Sequence, residues 1–454
     1  MDLLNLTLAE FRTLIEQKKV KDLRYVFEEW HPADIADLLT HLTLEEILFL
    51  FKTINKEQTS QVFSYCTIDT QERLIEAFSG PQIKTLLEHV EFDDVVDFLE
   101  DLPDVLVRKV LQNASDSQRQ EINVLLSYHP NSAGALLTTR YVELNEEDTL
   151  KTAIEKVRLQ GKGAASIQTC FVVNQNDRLI GTVLLKEMLT SNEDILIDEI
   201  METDIISVNT KDDREEVVKV FSKYDLSVVP VVNEQFCLVG IITVDDVIDV
   251  IEEEATEDIQ RMAGITPFEG SYLQTSVWDM FKSRIPWLLV LMISATLTGL
   301  VMESYAHITI ALTSLVIFIP MLMDTAGNAG SQASAMVIRG ISIDHLDIKD
   351  FFVVLLKEMK ASVLTGLILF VVNVVRIVVF SPSIALGVAI LVSLAIFFTI
   401  VLANLIGGSL PLVALLIKVD PAAMSGPVIT TLVDAVALII YFNMAAFYLE
   451  RFIQ

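Results

Sequence analysis

The sequence predicts a multidomain membrane protein: an α-helical superhelical N-domain, a duplicated α/β pair, a connecting helix and a five-helix transmembrane domain. Three observations carry that expectation. Residues 1–280 contain 53 Asp and Glu against 24 Lys and Arg, whereas residues 281–454 contain 9 of each, so the whole net charge of −29 lies in the first three-fifths. The last two-fifths consist of apolar runs, and a helix needs about 20 such residues to cross the hydrocarbon core. Between the helical start and these runs, one pattern of about 60 residues occurs twice.

Residues 1–130 read as short amphipathic helices. "HPADIADLLTHL", "EEILFLFKTI", "QERLIEAF", "PQIKTLLEHV" and "DDVVDFLEDL" each place apolar residues at i, i+3 and i+4, with Pro, Gly or a Thr, Asn or Asp cap between most of them. The acidic balance excludes a phosphate backbone as partner, so no nucleic acid is expected; it suits cations, or simply a soluble surface. Cys66, Cys170 and Cys237 are scattered without ligand spacing, which predicts a reducing compartment. "MDLLNLTLAEFRTLIEQKK" lacks the basic start and long apolar run of a secretory leader.

Residues 131–250 hold the duplication. "YVELNEEDTLKTAIEKV" matches "IISVNTKDDREEVVKVF", and "FVVNQNDRLIGTVLLKEML" matches "PVVNEQFCLVGIITVDDVI", with Gly181 against Gly240. Each copy reads strand, helix, strand, turn, strand, helix. This order resembles a tandem pair of cystathionine-β-synthase (CBS) domains, a regulatory module that often binds adenosine ligands. The connecting helix, at 251–281, follows on "DDVIDVIEEEATEDIQRMAGI"; its acidic run fits either a solvated face or a cation-binding one.

Charges delimit the membrane segments. Arg284 and Glu303 bracket 18 uncharged residues, Lys360 and Arg376 bracket 15, and Arg376 and Lys418 bracket 41, with "SPSIALG" as a turn inside the last. Five helices are expected at about 284–303, 308–338, 352–380, 385–417 and 425–450. Lys282, Arg284, Arg339, Lys349, Lys357, Lys360 and Lys418 fall on one side of this arrangement, which makes that side and the N-terminal domains cytoplasmic and places the C-terminus outside. In the second segment Asp324, Asn328 and Gln332 recur at spacing four and share one stripe. Pro320, Gly327 and Gly330 are expected to loosen that helix and free its carbonyls. The small residues Ala329, Gly407 and Gly408 suit close helix packing. None of this explains Asp434, in "TTLVDAVALII", which costs roughly 2.5–3.5 kcal/mol on insertion scales. A carboxylate with no basic residue in its stretch of helix points to a cation path. Hard cations take oxygen ligands, and magnesium, which dehydrates reluctantly, is held through its water by one or two carboxylates.

"PMLMDTAGNAGSQ", "VDPAAMSGPVITTLVD" and "VDDVIDVIEEEATED" after a CBS pair together resemble the MgtE family of magnesium channels over nearly the whole chain. The resemblance implies a homodimer in the bacterial cell membrane, with one pore on the two-fold axis lined by the second and fifth helices. It implies closure when Mg2+ fills sites among acidic cytoplasmic domains. It carries the pore carboxylate onto Asp434, the conserved asparagine onto Asn328 and a cytoplasmic-mouth ligand onto Asp420. It carries regulatory acids onto Asp93, Asp97, Glu215, Asp225, Asp246, Asp249, Glu254, Glu257 and Asp258. ATP is implied at the CBS pair, with Thr243 and Asp245 as its contacts in "TVDD", although the first copy has "LLKE" ending at Glu187. Ala326, in place of a first glycine, and Gln61, in place of an acid, depart from the family pattern. The alternatives are a CBS-regulated transporter of Co2+ or Mn2+ and a membrane sensor that transports nothing. No nucleophile–base pair, phosphate loop or metalloprotease spacing points to an enzyme.

Overall fold

A computed structural model provides the architecture; it describes residues 8–90, 92–100, 102–268, 272, 275–311, 313–344, 346–424 and 426–452, less the side chains of Phe92, Asp93, Asp97, Glu100, Asp104, Ala311 and Phe452. The chain divides into two compact units, Met1–Glu253 and Glu254–Gln454.

The first unit opens with ten short helices between Leu8 and Leu125 among the described residues. Their boundaries follow from local chemistry. Thr43 and Glu46, Ser79 and Gln82, and Ser115 and Gln118 form reciprocal capping boxes that satisfy otherwise orphaned N–H groups. Pro32 starts another helix, where its missing N–H costs nothing. One face of each helix is buried, and Phe11, Leu23, Leu50, Phe63, Leu74 and Ile83 join in a continuous core.

Two three-stranded sheets follow, built alike. In the first, β1 (Glu143–Asn145) runs parallel to β2 (Thr169–Val173), which is antiparallel to β3 (Leu179–Leu184). In the second, β4 (Val208–Asn209) runs parallel to β5 (Val228–Val232), which is antiparallel to β6 (Leu238–Thr243). Gly181 lies opposite Val172 and Gly240 opposite Val231, and the register shifts one residue later in both sheets. The duplication read from the sequence is thus repeated strand for strand. The two copies meet through Phe171, Val173, Leu179, Val228, Val232, Leu238 and Ile241, a shared apolar cluster. They part at their last helix. After β3 it is six residues, Leu185–Thr190; after β6 it extends to nineteen, Val244–Met262. The connecting helix therefore starts directly from a strand, seven residues before the expected 251, and ends at Met262 rather than 281. Gly264, with φ of 69°, provides the left-handed residue that turns the chain away.

In the second unit the long helices are Val277–Ser304, Ile319–Asp344, Phe351–Phe380, Leu386–Leu416 and Gly426–Phe452, called first to fifth below. The first, fourth and fifth, and the third with the short turn before it, are long and apolar enough to cross a membrane. The second segment departs from expectation. Instead of one helix over 308–338, a short helix, Ala306–Ala311, and a 3₁₀ segment, Thr313–Phe318, precede the second helix. Pro320 is the second residue of that helix, so it begins the helix instead of loosening its middle. The break leaves carbonyls to be satisfied, and the buried Tyr441 hydroxyl donates to Leu315 O at 2.9 Å. Helical geometry continues through Gly327 and Gly330 to Asp344. Those glycines serve packing. A Cβ on Gly330 would come within 2.8 Å of Ile429 and 3.2 Å of Ala403 O, and one on Gly407 would run into the Gly330 carbonyl.

Because that obstacle is backbone, Gly407→Ala should force the second and fourth helices apart. We expect a loss of about 1–3 kcal/mol, the usual cost of overpacking, read as a lower melting temperature of the detergent-solubilised protein; unchanged melting would mean that the contact is slack.

Candidate functional site

The second helix carries two opposed faces. Ala326, Gly327, Gly330, Ala333, Ser334 and Val337 are buried, while Asp324, Asn328 and Gln332 are exposed. The fifth helix seats on the small face. Thr430 meets Gly327, where an added Cβ would lie 3.1 Å from its methyl, and Ile429 and Val433 meet Gly330. Asp434 follows Val433 directly and is only partly covered. Asn328 follows Gly327 directly, so the two predicted pore residues sit one position and one turn from the same helix contact. Among the described residues no cation pairs with Asp434.

Asp420 lies in the loop before the fifth helix, where its Oδ1 accepts the Ala422 N–H at 2.8 Å. Its other oxygen is paired with Arg261, which also pairs with Glu257 one turn earlier on the connecting helix. The predicted ligands Glu257 and Asp420 are therefore brought together, with a guanidinium between them. Asp258 beside them has its carboxyl raised, first by burial and then by Glu254, with Arg261 opposing.

Within the first unit, the N-terminal end of the connecting helix gathers a second set of acids. Asp246 accepts from the Thr243 hydroxyl at 2.6 Å and from the Thr243 N–H at 3.4 Å, so two residues singled out in "TVDD" are joined at the start of this helix. Burial, aided by the charges of Asp245 and Asp94, pushes Asp246 up to about 6 against those hydrogen bonds. Asp249 is raised by burial, then by Glu252 and Asp245. Asp94 is raised by burial, with a Ser64 hydrogen bond opposing and Asp245 and Asp249 adding to it. The family resemblance points to Asp93 and Asp97 on the same helix, Phe92–Glu100; both side chains lie outside the described residues. Asp94 was missed, although three acids in "DDVVD" on a nine-residue helix offered it equally. Glu215 and Asp225 are exposed and stand at opposite ends of one helix, Arg214–Tyr224 with its cap, about 15 Å apart by helical rise, and are not brought together within the chain. Asp225 is the left-handed cap of that helix, with φ of 52°. Gln61 is exposed.

Glu358 is a second carboxylate within a long apolar helix that the sequence reading passed over. Its Cγ lies where a Cβ on Gly408 would approach to 3.0 Å, so Gly408 makes room for it against the fourth helix. Glu358 lies two residues before Lys360, just outside the 15-residue uncharged run that marks this helix in the sequence. Among the described residues no three carboxylate, imidazole or thiol groups close on a single point as a bare metal ion would require.

Residues 319–444 match the family model MgtE, described as a divalent cation transporter. Residues 30–131 match the MgtE intracellular N domain and residues 197–253 a CBS domain. The magnesium transporter MgtE of Thermus thermophilus is 30% identical over 439 residues, covering 96% of this chain and 97% of that one. The chain belongs to the MgtE family. The Bacillus subtilis magnesium transporter MgtE is 29% identical, over 96% of each chain, and that of Enterococcus faecalis 32% identical, over 73% of this chain and 72% of that one. The crystal structure of the cytosolic domain of the Mg2+ channel MgtE in complex with ATP is similar at 29% identity and a TM-score of 0.51, covering 54% of this chain and all of that one. The soluble part of a magnesium transporter is similar at 27% identity and a TM-score of 0.52, covering 55% and 98%. As an MgtE protein with four helices long and apolar enough to cross a membrane among its described residues, the chain is a multi-pass membrane protein of a transporter family, not an enzyme.

The raised Asp246 makes a pH prediction. Its folded value of about 6 exceeds an unfolded value of about 3.9, so its protonated form favours the fold. The stability it contributes is full below about pH 4 and is lost as pH rises through 6. Asp246→Asn should raise the stability of residues 1–253 at pH 7 by at most about 3 kcal/mol and flatten the profile between pH 4 and 6. Chemical denaturation in chelator tests it; a less stable variant at pH 7 would show that the carboxylate is charged at no cost.

Proposed function

We propose that this chain is a magnesium-selective channel or transporter for Mg2+ uptake, acting as a homodimer and closed by intracellular Mg2+ bound to its acidic N-terminal domains. The observation that carries the reading is the polar stripe Asp324, Asn328 and Gln332, exposed along the second helix, whose opposite face of small residues packs on the fifth helix at the turn that ends in Asp434. Facing lipid, those groups would be costly. A second copy across a two-fold axis gives them company and doubles Asp434, a symmetric pair of oxygen ligands suited to an ion that keeps its water. Near-full-length likeness to two magnesium transporters, and likeness to a third over about three quarters of each chain, supports Mg2+ as the substrate.

In this reading five helices span the plasma membrane. The interrupted second segment lines the pore with the fifth, the N-terminal domains are cytoplasmic and the C-terminus is outside. The working divisions are 1–130, 131–250, a connecting segment and 282–454. Regulation falls to the acids on and around the connecting helix: Asp94, Asp245, Asp246 and Asp249 towards its start, and Glu254, Glu257, Asp258 and Asp420 towards its end. Burial and mutual repulsion disfavour the charged forms of several of these acids, and a divalent cation relieves both. Glu215 and Asp225 serve only across a subunit boundary, given their separation. ATP at the CBS pair is supported by the ATP complex of the similar cytosolic domain and by Thr243 and Asp245 in "TVDD".

Reconstitution into liposomes tests the reading. Mg2+ uptake should fall as Mg2+ on the cytoplasmic face rises, and Asp434→Asn should reduce it at least tenfold while the protein elutes and melts as the parent does. Normal uptake by that variant would exclude Asp434 from the path. Uptake of Mn2+ or Co2+ that Mg2+ fails to compete would replace magnesium as substrate, and no flux of any divalent ion would leave a sensor.

A further inference from the structure

Arg261 occupies a position that neither the family matches nor the acid inventory explains. It lies in the last turn of the connecting helix, and its guanidinium joins Glu257 on the same helix to Asp420 in a loop 159 residues away. The contact is not an isolated surface pair. A Cβ on Gly426 would lie 2.6 Å from Met262 O, and one on Gly264 would lie 2.7 Å from Pro427, so the helix end fits closely against the loop that feeds the fifth helix. Gln260 ties the following segment back by accepting the Phe268 N–H at 2.8 Å and donating to Phe268 O at 3.2 Å, and the Thr266 N–H donates to Ser283 O at 2.8 Å. The Arg261 and Asp420 side chains are about one-third and one-quarter exposed, 33% and 27%, which leaves the pair only partly screened.

Two carboxylates brought this close repel unless a cation stands between them. Arginine supplies one that is always charged and whose planar fork can hold two oxygen partners at once. A basic residue in the last turn also suits the negative end of the helix, where Glu257 and Asp258 do not. We propose that Arg261 is a tethered counter-cation that holds the end of the connecting helix on the loop before the fifth helix without a divalent ion, and that competes with any divalent ion for Glu257 and Asp420. Arg261 is then a positioning residue. It sets how far docking of this helix end depends on Mg2+, because an ion that takes either carboxylate must first displace the guanidinium. The proposal rests on the reading of Glu257 and Asp420 as cation ligands, but its geometry is independent of ion flux.

The test is a distance measured in the full-length protein in lipid nanodiscs, with spin labels at the exposed Ile259 and Ile417 in a background lacking other cysteines. In chelator the parent should show a narrow distribution. Arg261→Gln should broaden it, with the docked population falling about tenfold, and millimolar Mg2+ should restore it. Arg261→Lys should keep most of the docking, and Arg261→Gln with Asp420→Asn should stay docked and indifferent to Mg2+, because the repulsion has gone with the ligand. A narrow distribution for Arg261→Gln in chelator would overturn the proposal, as would broadening that Mg2+ fails to reverse. Uptake measured on the same samples separates the two readings: loss of flux in the parent overturns the transport assignment and leaves the docking result standing.

Discussion

The contact between Gly330 and Gly407 governs how the second unit is put together. Two helix backbones approach until no side chain fits between them, and the second helix must then turn its small residues inward along its length. Every other consequence is geometric. Residues at i, i+3 and i+4 share a face, so committing 326, 330, 333 and 337 to the interior sends 324, 328 and 332 to the opposite side. The fifth helix meets the same small face with Thr430, Ile429 and Val433, which fixes the rotation of that helix and sets Asp434 one residue beyond the contact. In hydrocarbon no hydrophobic effect drives helices together, so close backbone approach between small residues has to do that part.

Electrostatic strain is the complementary feature of the first unit and of the connecting helix. Burial raises Asp94, Asp246, Asp249 and Asp258, and in each case neighbouring carboxylates add to the rise. Such an arrangement is poor design for a fold that has only stability to secure, since each half-buried charge disfavours the compact state. It is well suited to an assembly whose compactness is meant to depend on a cation, because the ion removes the desolvation cost and the repulsion together. The Thr243 hydrogen bonds to Asp246 oppose that strain at one of these acids. They anchor one acid at the helix start and leave its neighbours to respond.

Much of this was legible in the chain itself. Asp434 stood out because an isolated carboxylate in apolar surroundings is expensive, and the duplication stood out because Gly181 and Gly240 fall at the same step of a repeated strand pattern. What escaped has a common cause: it depends on partners distant in sequence. Pro320 looks the same at a helix start as in a helix middle until the preceding 3₁₀ segment is seen, and that segment is held by Tyr441, 126 residues away. Choosing Asp94 over Asp93 and Asp97 needs the facing helix. Arg261 reads as one more base on an amphipathic surface until Asp420 is placed beside it. Glu358 needed Gly408. Periodicity specifies which face of a helix is buried; it carries no information about which residue waits on the other side.

The connecting helix carries acids at both of its ends. It starts in the capping pair of Thr243 and Asp246, ends in the bridge from Arg261 to Asp420, and is helical over nineteen residues, about 28 Å by helical rise. Acidic residues in its first turn stabilise the helix through its dipole, whereas Glu257 and Asp258 near the other end oppose it. Under the proposed regulation by a divalent ion the two ends would therefore respond differently. At the start, an ion relieves repulsion among acids that the helix itself welcomes. At the end, an ion has to compete with a guanidinium that already neutralises the pair.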